Sequence, residues 1–133
     1  MNDETARPAR AGCVLLIEDE PNIATAIGFV LGRDGWHVAT HGDGATAPAA
    51  VERHAPDVVV LDVMLPGRSG FDVLAEVRRG PRADVPVLML TAKGQTKDRE
   101  RALALGADRF MSKPFSNAER AEAVRALAAR AAE

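Results

Sequence analysis

Glu18-Asp19-Glu20, Asp62, Thr91 and Lys113 each stand at the end of a short apolar run, and their side-chain types fit the handling of a phosphoryl group. Carboxylates brought together repel one another unless a cation joins them. Hard oxygen donors suit magnesium, which usually keeps several of its waters. Asp62 would then have the metal on one oxygen and the other free to attack phosphorus, while Thr91 and Lys113 contact the phosphoryl oxygens. Each group alone has a plainer explanation: a solvated acidic turn, an Asp turning the chain before Pro66 and Gly67, a proline that stops sheet pairing after Lys113. The coincidence of all four at strand ends favours chemistry.

These groups need elements to position them. Residues 14–17, 58–61 and 87–90 are continuous runs of branched or long apolar side chains bounded by turn formers, as in strands buried on both faces. Weaker strands are expected at 36–40 and 109–111. Ile23, Ala26, Ile27, Val30 and Leu31 keep the spacing of a helix face, with Pro21 near its start and Gly32 and Gly35 near its end. Further helices fit 46–53, 70–79, 97–105 and 116–132. Strands alternating with helices imply a doubly wound α/β fold, a parallel sheet covered on both faces. In such sheets the site forms outside the carboxyl ends of the strands, where the polar groups above stand.

The segments LLIEDEP, VVVLDVMLPGRSGFDVL, VLMLTAK and GADRFMSKPF resemble, in order, the four signatures of the response-regulator receiver domain of two-component signalling. The resemblance covers about residues 13 to 131. It implies a flavodoxin-like (βα)5 fold with strand order 2-1-3-4-5. It makes Asp62 the phosphoacceptor, Asp19 a direct ligand of Mg2+ (with Mn2+ as a substitute), Glu18 a ligand through water, and the Met64 carbonyl the remaining protein ligand. Thr91 and Lys113 would hold the phosphoryl group, and Phe110 would be the aromatic that moves when Thr91 is drawn inward. A cis Lys113–Pro114 bond would aim the lysine at the site.

Some positions depart from common variants of that family. Glu18 stands where Asp is frequent, and its longer carboxylate still reaches a metal through water. Met64 and Lys93, each two residues beyond a site residue, occupy places that tune access of the hydrolytic water. Winged-helix regulators often pair receivers through an Asp before the switch aromatic and an Arg in the last helix. Here those positions are Arg109 and Ala123.

Composition sets the remaining bounds. The 133 residues, 47% hydrophobic and 27% charged, suit one packed domain, expected at 13–133 behind a polar tail at 1–12. A net charge of −2 provides no general attraction for nucleic acid or an anionic membrane. The single Cys13 leaves no internal disulfide and is expected to act as a small hydrophobe. His37, His41 and His54 lack ligand spacing and are expected in surface or structural roles. With no signal-like or membrane-spanning run, a cytoplasmic location is expected.

The implied partners are a histidine kinase or histidine phosphotransfer protein as donor and a downstream protein as target, with no direct nucleic acid or membrane contact, for a monomer or weak dimer. The protein would be a signalling phosphoacceptor rather than an enzyme, catalysing only its own phosphotransfer and dephosphorylation. Its output would be a change at the surface formed by the fourth helix, the fifth strand and the fifth helix. The alternative is the receiver part of a longer DNA-binding regulator. A haloacid dehalogenase-like phosphohydrolase needs a second Asp where Met64 stands, and a pseudo-receiver loses acidic residues that this chain keeps.

Overall fold

Five short strands alternate with five helices in a computed structural model that describes residues 12–91, 96–112 and 117–132. In chain order they are β1 (Cys13–Ile17), α1 (Pro21–Arg33), β2 (His37–His41), α2 (Ala47–His54), β3 (Val58–Asp62), α3 (Gly70–Arg79), β4 (Val87–Thr91), α4 (Thr96–Ala104), β5 (Arg109–Ser112) and α5 (Asn117–Ala132). Every strand pairing is parallel and the order is β2-β1-β3-β4-β5, the doubly wound flavodoxin-like arrangement expected.

Strand alternation sorts the core into two layers. Leu15, Ile17, Val59, Leu61, Val87 and Met89 point to one face, where they meet Val51, Phe71, Leu74 and Ala102 of α2, α3 and α4. Val14, Leu16, Val58, Val60, Leu88 and Leu90 point to the other, against Ile27 and Leu31 of α1 and Val124 and Leu127 of α5. Both faces are covered, so the central strands read as unbroken apolar runs. β2 and β5 lie at the sheet edges and are only partly buried, which explains their weaker sequence signal.

Several boundaries shift. Trp36 lies before β2 rather than in it. Its N–H donates to the Leu31 carbonyl at 3.1 Å and closes the end of α1, with Gly35 at φ 98° turning the chain. The strand then runs on to His41. Asp62 and Thr91 do end β3 and β4, as expected of those strands. α2 begins at Ala47 and α4 at Thr96, each one residue from expectation. Of the expected tail, only Gly12 is among the described residues, and its carbonyl accepts the His37 N–H at 2.9 Å.

Candidate functional site

The acidic triplet after β1 divides into two roles. Glu18 is buried, its N–H donates to the His41 carbonyl at 2.9 Å, and its Oε2 accepts the Glu20 N–H at 3.0 Å. Glu20 is committed elsewhere: its Oε1 caps α1 by accepting the N–H groups of Asn22 at 2.8 Å and Ile23 at 3.3 Å. Pro21 follows at the first helical position, where its missing N–H costs nothing. Asp19, between them, is exposed.

β3 brings Asp62 to the same end of the sheet, 4% exposed like Glu18. One ligand oxygen from each of Glu18, Asp19 and Asp62 lies within 4.8 Å of the others. The donors are all hard carboxylate oxygens, and two of the three side chains are buried. Placing such groups side by side away from water is costly unless a cation balances them, so this donor set fits a hard divalent ion such as Mg2+ and gives a thiophilic metal no thiolate or imidazole.

The segment after Asp62 is held tightly. The Val63 N–H donates to the Leu90 carbonyl at 2.9 Å and the Gly70 N–H to the Val63 carbonyl at 2.8 Å. A Cβ at Gly70 would lie 2.2 Å from the Asp62 carbonyl oxygen, so only glycine admits this approach. α3 starts immediately there, capped by Ser69, whose hydroxyl accepts the Asp72 N–H. Met64, two residues after Asp62, is 70% accessible.

Thr91 ends β4, 4% exposed and one register step beyond Leu90, the partner of Asp62. Thr91 in turn pairs with Ser112 of β5. Lys93, Lys113 and the Lys113–Pro114 bond lie outside the described residues. Phe110 is 9% exposed and packs in the core layer shared by α2, α3 and α4, an inward position. Arg109 is half-buried and Ala123 fully buried, so the Ala123 position offers neither charge nor exposed surface.

His41 has a structural partner, with Nε2 2.7 Å from Thr46 Oγ1. No histidine joins a group of three metal-ligating side chains among the described residues. Cys13 opens β1 half-buried, and its N–H donates to Asp57 Oδ2 at 2.7 Å. The close approach at Gly70 and the capping duty of Glu20 escaped sequence reasoning. The pattern Ser69-Gly70 before an apolar helical face and the order Glu20-Pro21 were their available signals.

A family model described as the response regulator receiver domain matches residues 14–125. The "Probable transcriptional regulatory protein TcrX" of Mycobacterium tuberculosis is 47% identical over 114 residues, covering 86% of this chain and 48% of that protein. The sensory transduction protein RegX3 of Mycolicibacterium smegmatis is 42% identical over 120 residues, covering 90% and 52%. The chain thus spans about half the length of the curated relatives it matches. Among solved structures, the receiver domain of the Francisella response regulator 1452 is similar with a TM-score of 0.84 and 29% identity, covering 90% of this chain and 98% of that one.

Proposed function

We propose, for a chain that belongs to the response regulator receiver domain family, that Asp62 accepts a phosphoryl group from the phosphohistidine of a histidine kinase or phosphotransfer protein. The observation that carries this reading is the meeting of Glu18, Asp19 and Asp62 within 4.8 Å at the carboxyl ends of β1 and β3. Asp19, Asp62 and the Met64 carbonyl would hold Mg2+ directly and Glu18 through water. The chemistry a bound Mg2+ supplies is neutralisation of charge shared by the carboxylate and the phosphoryl oxygens.

The protein's own groups account for the rest. An Asp62 carboxylate oxygen attacks phosphorus, the P–N bond to the donor histidine breaks, and the imidazole leaves with the bonding pair and takes up a proton. An acyl phosphate on Asp62 results. Thr91 and Lys113 donate hydrogen bonds to the phosphoryl oxygens, over which the charge is spread during transfer. Water attack at phosphorus breaks the bond to the Asp62 oxygen, releases inorganic phosphate and restores the carboxylate, with Met64 and Lys93 governing access of that water. The resulting signal is stabilisation of the state with Thr91 at the phosphoryl oxygens and Phe110 in the inward position it holds here, against a state with Phe110 outward, which alters the α4–β5–α5 surface seen by a target.

The test is transfer of labelled phosphate from a phosphorylated histidine kinase in the presence of Mg2+, followed by hydroxylamine. Label that hydroxylamine releases and that Asp62→Asn does not acquire supports the reading. Hydroxylamine-stable label, or equal labelling of Asp62→Asn, contradicts it.

A second reading concerns output. The relatives named above include a transcriptional regulatory protein about twice the length matched here, which favours a receiver that controls a DNA-binding element. Binding of DNA that depends on phosphorylation, measured on the protein as its native cell makes it, separates this from control of a separate protein target.

A further inference from the structure

The end of β2 and the loop that leads into α2 touch the chain on both sides of the site, at Glu18-Asp19 and in the segment that follows Asp62. On one side the His41 carbonyl accepts the Glu18 N–H, and a Cβ at Gly42 would lie 3.6 Å from the Asp19 Cα. On the other, the Gly44 N–H donates to the Pro66 carbonyl at 2.8 Å, and a Cβ at Gly44 would lie 2.2 Å from the Arg68 carbonyl oxygen. The loop is therefore a spacer between Glu18-Asp19 and the segment that follows Asp62.

Side chains fix the spacer's shape. Asp43 Oδ1 accepts the Ala45 N–H at 3.1 Å, and Gly67, at φ +86°, comes so close that its Cβ would lie 2.6 Å from that oxygen. Thr46 occupies the N-cap position of α2 yet makes no capping hydrogen bond. Its hydroxyl instead sits 2.7 Å from His41 Nε2 and donates to Asp43 Oδ2 at 3.4 Å. A carboxylate only accepts and a threonine has one proton to give. With the Thr46 proton given to Asp43, the hydroxyl oxygen accepts from His41 in the tautomer that carries a proton on Nε2. The hydroxyl that would ordinarily cap the helix is spent on the loop.

We propose that Thr46 and Asp43 are positioning residues for the carboxylate site: by holding the loop between its two halves they set the affinity for Mg2+. This rests on the Mg2+-dependent phosphoacceptor reading. Outer groups that orient metal ligands tune affinity, and breaking one exposed link of this kind corresponds to a loss of about threefold.

The experiment is calorimetric titration of Mg2+ into wild type, Thr46→Val, Thr46→Ser and Asp43→Ala, with melting temperatures recorded for each. Asp34→Ala serves as control, because Asp34 pairs with Arg125 at 2.8 Å beyond the far end of α1. Weaker Mg2+ binding by about threefold or more in Thr46→Val and Asp43→Ala is expected, with wild-type affinity in Thr46→Ser and Asp34→Ala. Unchanged affinity in Thr46→Val and Asp43→Ala overturns the positioning role, as does a loss in Asp34→Ala that tracks its melting temperature in the same way. Absence of Mg2+ binding by wild type overturns the phosphoacceptor reading itself, and the positioning role with it.

Discussion

Arg78 Nη2 donates to Asp108 Oδ2 across 3.0 Å, joining the last turn of α3 to the residue before β5. The same guanidinium donates to the carbonyls of Ala83, Val85 and Gly106, while Asp108 Oδ2 also accepts the Val87 N–H at 2.8 Å. One side chain thus ties together the chain ends from which β4 and β5 start, opposite the carboxylate site. Planar donors at fixed angles suit this task, and an ammonium cannot reach all of these acceptors at once.

Arg78→Ala is therefore expected to lower folding stability by at least about 2 kcal/mol, since it removes several charge-assisted bonds at a partly buried position. Arg78→Lys should recover only part of that. Urea denaturation measures both, and a loss no larger than that of the more exposed Arg68–Glu76 pair would contradict the clasp.

Gly70→Ala should destabilise by about 1–3 kcal/mol, because a Cβ drives into the Asp62 carbonyl and something must move. The movement falls on the phosphoacceptor segment, so phosphorylation by acetyl phosphate should slow as well. A Gly70→Ala protein of wild-type stability and rate would show that the segment yields freely.

Glu20 and Asp19 are adjacent and should behave oppositely. Glu20→Ala loses the α1 cap, about 1 kcal/mol of stability, and keeps its response to Mg2+. Asp19→Asn should leave stability in metal-free buffer unchanged or slightly higher, as like charges are relieved, and lose the rise in melting temperature that bound Mg2+ produces. Thermal melts with and without Mg2+ separate the two, and equal Mg2+ responses would refute the division of labour.

Among the described residues of α4, Ala102 is the one that is fully buried, and Arg101 lies over the Phe71 ring at 4.3 Å from its centroid. The α4 amides should exchange hydrogen faster than those of α3, and Arg101→Ala should speed them further with little change in α3. Uniform exchange across both helices would show that the stack does not hold α4.

The central strands and the carboxylates at their ends were legible in sequence because both faces of β1, β3 and β4 are apolar and the polar residue that follows breaks the run abruptly. Trp36 misled because an aromatic beside a Val-containing run suits a strand, whereas its N–H is consumed by the end of α1. Glu20 could not be told from Glu18 and Asp19 by type. Only the helix start after it shows which carboxylate faces backbone N–H groups. The spacer role of His41 to Thr46 depends on two loops far apart in sequence meeting, which no local pattern encodes.

Phosphoryl acceptance by Asp62 is tested most directly by intact-mass measurement after incubation with acetyl phosphate, with Mg2+ and with chelator, for wild type and Asp62→Asn. A mass increase of one phosphoryl group is expected in wild type with Mg2+, and none with chelator or in Asp62→Asn, because the attacking carboxylate and its charge balance are both required. An increase of the same size in Asp62→Asn, or in wild type with chelator, would contradict it.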